Sequence, residues 1–160
     1  MSQDRSQDRG PDVKFPPPVL FVGGLGAGVL LDRLLPEAYR LPAVFSLELA
    51  GVVLGAAGLA MVYTGIITFR RARTAVYPNR PASQVVDHGI YSHTRNPMYV
   101  GLTGFYLGGA LLLHSLSALL LLPLVLWALT SLVIAREERH LQAAFPQAYA
   151  AYCHRVRRWL

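Results

Sequence analysis

The polar passage around which the chain is organised is DHGIYSHTRNPMYVG, residues 87–101, which separates two long apolar blocks. Asn96 and Pro97 form a typical helix start, because Asn is a favoured N-cap residue and Pro is favoured at the first helical position. Arg95 lies just before that start, so free backbone N–H groups, the positive end of a helix dipole and a guanidinium are expected to converge there. Such a place suits an anion such as a carboxylate or a phosphate. The same residues taken alone also describe an ordinary capped loop that enters a helix.

The apolar blocks on either side of this passage predict a membrane protein. Of the 160 residues, 53% are hydrophobic and 15% are charged, which is more apolar than an ordinary soluble domain. Residues 49–69 and 117–135 contain no charged side chain and are long enough to cross a bilayer. We therefore expect an all-α integral membrane protein with about four transmembrane helices and a cytoplasmic C-terminal amphipathic helix. The expected spans cover residues 17–35, 44–69, 97–113 and 117–135.

The remaining segments are assigned around these spans. Residues 1–14 are polar and repeat the tetrapeptide SQDR, so we expect a disordered cytoplasmic tail. Residues 15–160 are expected to form a single membrane domain, in which residues 136–158 make cytoplasmic helices. Phe145 and Pro146 indicate that a second helix starts within that last stretch.

The basic residues are sorted by the expected spans, and this predicts the orientation of the chain. Thirteen of the fifteen lie in segments that four spans would place on one side of the membrane. The positive-inside rule makes that side the cytoplasm, so both termini are expected there, with the arginines facing anionic lipid headgroups. A nucleic-acid-binding protein could share the net charge of +6, but its basic residues would not be sorted by spans. No nucleic-acid partner is therefore expected.

Small residues predict close helix packing. Gly51 with Gly55, and Gly104 with Gly108, have the spacing of a small-xxx-small face, which allows helices to approach within the chain or between copies in an oligomer. Cys153 is the only cysteine, so no disulfide and no cysteine-based metal site is expected. No His, Asp and Glu residues have ligand spacing either, and no metal is implied.

Three charged residues fall within or beside the expected spans, away from the polar passage. Asp32 and Arg33 are expected to snorkel toward the far interface. Glu48 lies about two turns inside the second span, where an acid is a candidate for function. Because it lies near the outer end of that span, a structural or interfacial role is expected.

A second polar group is expected to meet the first. The third and fourth spans form an antiparallel hairpin, which brings Glu137 and Glu138 to about the same depth as Arg95. Adjacent helix positions point about 100° apart, so one Glu can face a pocket while the other pairs with an arginine. An anion-binding helix start opposite a carboxylate suits a zwitterion such as an amino acid moiety, with Tyr91 and Tyr99 as an aromatic wall. Taken alone, the two acids could also be surface charges at the end of a span.

These residues together resemble the signature of the integral-membrane methyltransferases, the isoprenylcysteine carboxyl methyltransferase and phospholipid methyltransferase group. The shared pattern is Arg-[His/Asn]-Pro-x-Tyr-x-Gly followed, a few tens of residues later, by Glu-Glu, and residues 95–101 and 137–138 match it. The resemblance covers residues 85–158. It differs at Asn96, where many members have His, and after Val156, where many have a proline.

The resemblance implies S-adenosylmethionine (SAM) bound at the cytoplasmic membrane surface and a methyl acceptor that enters from the bilayer. Arg95 and Glu138 are the residues expected to take part in catalysis. The residues expected to line the cofactor pocket are Tyr91, Arg95, Asn96, Pro97, Tyr99, Glu137 and Glu138.

The resemblance favours a lipophilic or prenylated acceptor whose carboxylate is methylated, as in an isoprenylcysteine. A carboxylate acceptor needs no general base, whereas a phospholipid amine or a thiol must lose a proton, for which His88, His93 and Tyr152 are weak candidates. Two further alternatives remain open at this point. One is an NADPH-dependent membrane reductase, and the other is a non-catalytic membrane protein whose spans pack through their glycine faces.

Overall fold

The computed structural model describes residues 16–37, 40–73 and 83–160, and within them every regular element is a helix. The six α-helices are α1 Pro17–Leu34, α2 Phe45–Arg71, α3 Pro97–Leu112, α4 Leu116–Leu129, α5 Ala135–Ala144 and α6 Pro146–Arg155. A 3₁₀ turn, Gly89–Ser92, precedes α3, and a π-helical turn, Thr130–Ile134, joins α4 to α5 without a break. The expectation of an all-α protein is confirmed for these residues. The expected tail at residues 1–14 lies outside them.

Three of the helical segments are long and apolar enough to cross a membrane: Pro17–Leu34, Phe45–Arg71 and Leu116–Ala144. They correspond to the first, second and fourth expected spans, as in an integral membrane protein. The third expected span corresponds to helix α3, which has only 16 residues. At 1.5 Å per residue it rises about 24 Å, less than the roughly 30 Å of a bilayer's hydrocarbon core. A fourth span at this position therefore stays a prediction.

Helix α3 packs closely against α2 because glycines line both helices. A Cβ atom added to Gly58 would collide with the carbonyl oxygen of Gly101, and one added to Gly108 would lie 2.5 Å from the carbonyl oxygen of Gly51. The missing Cβ positions of Gly51 and Gly58 thus point from α2 toward the backbone of α3. Gly55, the expected partner of Gly51, has open space in the direction of its own missing Cβ, while its backbone nitrogen lies 2.6 Å from the Cβ position of Gly108. These glycine faces serve contacts within the chain, while the expected oligomer stays a prediction.

Helix α1 packs on α4, and a buried acid links them at the end of the molecule remote from the polar passage. Asp32 is 5% exposed. Its carboxylate accepts hydrogen bonds from the hydroxyl of Ser115 and, at 3.2 Å, from the backbone N–H of Ser117. The expectation that Asp32 snorkels is wrong, because the start of α4 lies beside it and the free N–H groups there need an acceptor. Arg33 is exposed.

Glu48 lies at the same remote end. Its carboxylate is 3.6 Å from Nε2 of His114, in the tight turn between α3 and α4. The contact ties α2 to this turn, consistent with the structural role expected for Glu48.

The tight turn makes α3 and α4 an antiparallel hairpin with an apolar core. Tyr106, Leu129 and Ile134 are almost completely buried in this core, and the hydroxyl of Tyr106 donates to the carbonyl oxygen of Ala118 at 2.8 Å. The hairpin brings the start of α3 and the start of α5 to one end of the molecule. We call this the polar end.

Candidate active site

The centre of the polar end is the carboxylate of Glu138, which is held by two arginines. Nη1 of Arg95 lies 3.4 Å from Oε1 of Glu138. Arg158 donates from Nε and Nη2 to the two carboxylate oxygens at 2.9 and 2.6 Å. These hydrogen bonds raise the pKa of Arg158 above its usual value. The side chains of Arg95 and Glu138 are 15% and 18% exposed, whereas that of Arg158 is 43% exposed.

Glu137, the neighbouring acid, points to a different partner. The hydroxyl of Tyr99 donates to Oε1 of Glu137 at 2.7 Å, and Tyr99 is 8% exposed. The two acids diverge because adjacent helix positions point about 100° apart. The π-helical turn Thr130–Ile134 directly precedes α5, and such turns are frequent at functional sites.

Tyr91 forms a wall beside these acids. It is 4% exposed, and its ring centroid lies 4.9 Å from that of Phe69, near the end of α2. Its carbonyl oxygen accepts a hydrogen bond from the hydroxyl of Tyr152 at 2.8 Å. Its own buried hydroxyl has no hydrogen-bond partner among the described residues. Burial raises the pKa of Tyr91, so the phenol stays neutral and can donate a hydrogen bond.

Arg95 is fixed by helix α6 as well as by Glu138. Its Nη1 donates to Sγ of Cys153 at 2.6 Å and to the hydroxyl of Tyr149 at 3.4 Å. Burial raises the pKa of Tyr149, so this partner is a neutral phenol. The Nε atom of Arg95 is buried and has no hydrogen-bond partner in the part of the chain that the structure describes.

The helix start at Asn96 and Pro97 has the predicted backbone form but a different side-chain role. Asn96 occupies the N-cap position of α3 and Pro97 is the first helical residue, yet the Asn96 side chain makes no capping hydrogen bond. Instead, its Nδ2 donates to the carbonyl oxygen of Arg158 at 2.9 Å. The buried hydroxyl of Thr94 donates to the same carbonyl at 3.3 Å. Asn96 therefore anchors the C-terminal segment.

The C-terminal segment, residues 156–160, lies across the start of α3. The backbone N–H of Arg95 donates to the carbonyl oxygen of Arg157 at 2.9 Å, and Trp159 packs against the apolar core. These contacts carry Arg158 to Glu138. The sequence did not indicate Arg158, Thr94, Tyr149 or Cys153 as site residues. The basic tail was visible, but no local pattern shows that it folds back.

The structure thus brings Arg95, Tyr99, Glu137 and Glu138 together, with Tyr91 beside them. Asn96 and Pro97 lie at the same end of the molecule. The side chain of Asn96 is hydrogen-bonded to the C-terminal segment, and Pro97 is buried. The two histidines considered as bases, His88 and His93, are exposed. Contact of any of these residues with a cofactor stays a prediction.

The comparison with known families covers this same region. The model of the family described as phospholipid methyltransferase matches residues 47–148, which include most of α2, the hairpin, both acids and the start of α6. The chain belongs to the phospholipid methyltransferase family. The resemblance drawn from the sequence motif is confirmed at this level.

One curated relative with a more specific name also matches part of the chain. The Protein-S-isoprenylcysteine O-methyltransferase of Schizosaccharomyces pombe (strain 972 / ATCC 24843) is 39% identical over 72 residues, which are 45% of this chain and 30% of that protein. The match thus spans less than a third of the relative's length. No solved structure matches the chain. The family match ends at residue 148 and so does not cover three residues of the polar end, Tyr149, Tyr152 and Arg158.

Proposed function

We propose that this protein is an S-adenosylmethionine-dependent methyltransferase that acts on a membrane-embedded or lipid-like acceptor, and that its acceptor is an isoprenylcysteine-like carboxylate. Membership of the phospholipid methyltransferase family and the name of the yeast relative support methyl transfer. The structural observation that supports it best is the meeting of Arg95, Glu137 and Glu138 at one end of a membrane-type helix bundle. That meeting provides charges of both signs for a zwitterionic cofactor.

Unpaired buried atoms support the presence of a polar ligand at this end. Tyr91 Oη, Arg95 Nε and His140 Nε2 are buried and have no hydrogen-bond partner among the described residues. His140 lies one turn after Glu137 on α5. A buried polar group without a partner costs about 1–3 kcal/mol, so a ligand that supplied partners would recover that free energy. The donors and acceptors present fit SAM, which carries a carboxylate, an ammonium group and ribose hydroxyls.

The residues have complementary roles toward such a cofactor. Arg95 would hold its carboxylate, and Glu138 its ammonium group. Glu137 and Tyr91 would bind ribose hydroxyls, and Tyr99 would hold Glu137 in place through the hydrogen bond at 2.7 Å. The start of α3 at Pro97 adds the positive end of a helix dipole, which favours the anionic part of the cofactor.

The chemistry requires mainly alignment from the protein. When bound, SAM supplies a methyl group on a sulfonium, and the C–S bond breaks with its electron pair left on sulfur as the acceptor oxygen forms the new C–O bond. Glu137 and Glu138 belong near the amino group and ribose, because an anion that strongly stabilised the sulfonium would favour the reactant over the transition state. The buried tyrosines and the C-terminal segment exclude water and fix the reacting groups.

The distribution of charge supports a cytoplasmic position for the polar end. Asp87 at this end pairs with Arg155 at 2.7 Å, and Glu138 pairs with Arg95 and Arg158. The acids are thus compensated, while further exposed arginines surround them. These are Arg70, Arg71, Arg73, Arg139 and Arg157. We propose a four-span arrangement in which α3 is the shortest span and both termini are cytoplasmic.

A carboxylate acceptor fits better than an amine or a thiol, because proton removal lacks a suitable base. His88 and His93 are exposed. The hydroxyl of Tyr152 is committed to the carbonyl oxygen of Tyr91, and burial raises its pKa. Methylation of a phospholipid amine is the second candidate, which the family's description favours. No observation favours the NADPH-dependent reductase or the non-catalytic membrane protein.

A binding and activity measurement on the purified protein in lipid nanodiscs tests the proposal. SAM and NADPH are titrated separately by calorimetry. Radiolabelled methyl transfer from SAM is then measured with N-acetyl-S-farnesylcysteine and with phosphatidylethanolamine as acceptors. We expect binding of SAM and labelling of the farnesylated carboxylate. Binding of NADPH without SAM would contradict the proposal, and labelling of phosphatidylethanolamine alone would replace the carboxylate acceptor by the amine.

A further inference from the structure

Arg158 covers the accessible side of Glu138. Its guanidinium donates to both carboxylate oxygens, and it is 43% exposed, compared with 15% for Arg95. The Arg95 side chain contacts Tyr149 and Cys153 as well as Glu138. Among the residues that the structure describes, the side chain of Arg158 donates hydrogen bonds only to Glu138.

The backbone of Arg158 is fixed although its side chain is accessible. Asn96 and Thr94 both donate to its carbonyl oxygen, and the next residue, Trp159, packs against the apolar core. Because the backbone of Arg158 is held beside the site, a movement of this residue is restricted to its side chain.

Cofactor binding, as proposed above, would compete with this arrangement. If the ammonium group of SAM binds Glu138, it takes a position at the carboxylate that the Arg158 guanidinium occupies. Arg95 keeps its partners on α6, so Arg158 is the cation that leaves. A released guanidinium beside the cofactor suits a carboxylate, because its planar fork donates two parallel hydrogen bonds to the two oxygens.

We propose that Arg158 is a specificity-determining residue for the methyl acceptor: displaced from Glu138 by the cofactor, it binds the acceptor carboxylate. This inference rests on the proposed function and adds the residue that selects an anionic acceptor. It implies that the cofactor binds first and creates the acceptor site. Methylation turns the anionic carboxylate into a neutral ester with no proton to remove, so the ion pair with Arg158 is lost and the product leaves.

The test compares the charge selectivity of the wild type with that of Arg158→Gln. N-acetyl-S-farnesylcysteine is the acceptor, and its carboxamide analogue, which has the same shape but no charge, is the competitive inhibitor. In the wild type the carboxylate should bind about tenfold or more tightly than the carboxamide, a factor that one charged hydrogen-bonded pair accounts for. In Arg158→Gln we expect the acceptor KM to rise by about that factor, with the carboxamide Ki unchanged and SAM affinity equal or higher.

Two further variants make the result decisive. Arg139→Gln is the matched control, because Arg139 is exposed on α5 and donates to the carbonyl oxygen of Ala135 in its own helix; it should retain wild-type selectivity. Arg158→Lys keeps the charge without the fork and should retain part of the selectivity, and it decides the question if Arg158→Gln does not fold.

The opposite pattern would overturn the inference. If the Arg158 variants lose SAM affinity severalfold and still prefer the carboxylate as the wild type does, Arg158 only positions Glu138. Such a result leaves the proposed function intact, since the wild type would still bind SAM and methylate the probe. A wild type that neither binds SAM nor methylates the probe would remove the proposed function itself.

Discussion

The hydroxyl of Tyr99 in α3 lies 2.7 Å from Oε1 of Glu137 in α5, and this hydrogen bond joins the two helices whose ends form the candidate site. Tyr99 is 8% exposed, so the bond is shielded from water and holds the carboxylate in one orientation. The same contact links the two halves of the sequence motif, because Glu137 follows Tyr99 by 38 positions along the chain.

Tyr99→Phe should weaken SAM binding because it leaves the Glu137 carboxylate without its donor. A buried polar group that loses its hydrogen-bond partner costs about 1–3 kcal/mol, so SAM affinity should fall by about tenfold. Tyr106→Phe is the matched control, since the hydroxyl of Tyr106 donates to Ala118 inside the hairpin core. Calorimetry that shows equal SAM affinity for wild type and Tyr99→Phe would argue against a role for this contact.

Glu138→Gln should reduce SAM affinity more strongly than any change at the remote end, while the protein still inserts into membranes. The substitution removes the charge that pairs with Arg95 and Arg158 and that would bind the ammonium group. Glu48→Gln is the control, because Glu48 faces His114 in the turn at the opposite end. The comparison is made by SAM titration in nanodiscs. Equal affinities for both variants would be inconsistent with the site.

Gly58→Leu should destabilise the protein, whereas Gly55→Leu should not. A Cβ on Gly58 would collide with the carbonyl oxygen of Gly101 across the α2–α3 contact, but one on Gly55 meets open space. Overpacking of a close contact costs about 1–3 kcal/mol, and a leucine on a membrane-facing surface costs little. Thermal unfolding in detergent should show a lower midpoint only for Gly58→Leu. Equal midpoints would mean that α2 and α3 pack differently.

Asn96→Ala should loosen the C-terminal segment. The Asn96 side chain donates to the carbonyl oxygen of Arg158, and the loss of such a bond costs about 0.5–1.5 kcal/mol. Trp159 packs against the core and reports the change, while Trp127, which is 66% exposed, provides a constant signal. We expect stronger quenching of tryptophan fluorescence by a water-soluble quencher. No change in quenching would show that the segment is held without Asn96.

The sequence predicted those features that depend on local patterns and on helix direction. Uncharged runs indicated α2 and α4, and the hairpin between α3 and α4 followed from the short turn at His114. That hairpin was enough to predict that Glu138 and Arg95 meet, as their distance of 3.4 Å confirms. Asn96 and Pro97 likewise gave the start of α3 correctly.

Features that depend on tertiary contacts were not predicted. Asp32 was expected at the lipid interface because the sequence does not show that the start of α4 lies beside it. Gly51 and Gly55 both lie against Gly108 of α3, as their spacing indicated, but the sequence did not single out Gly58, which approaches the backbone of Gly101. The role of Arg158 depends on a tail that returns to residues 94–96, and no periodicity or motif encodes that return.

The most direct measurement is the transfer of radiolabelled methyl from SAM to N-acetyl-S-farnesylcysteine by the purified protein in nanodiscs, with wild type, Glu137→Gln and Glu138→Gln compared side by side. We expect a labelled methyl ester from the wild type and a loss of at least about tenfold in kcat/KM for each variant, equal to about 1.4 kcal/mol or more. Wild-type activity in both variants, or no SAM binding and no labelled product from the wild type, would contradict the assignment of this polar end as a methyltransferase site.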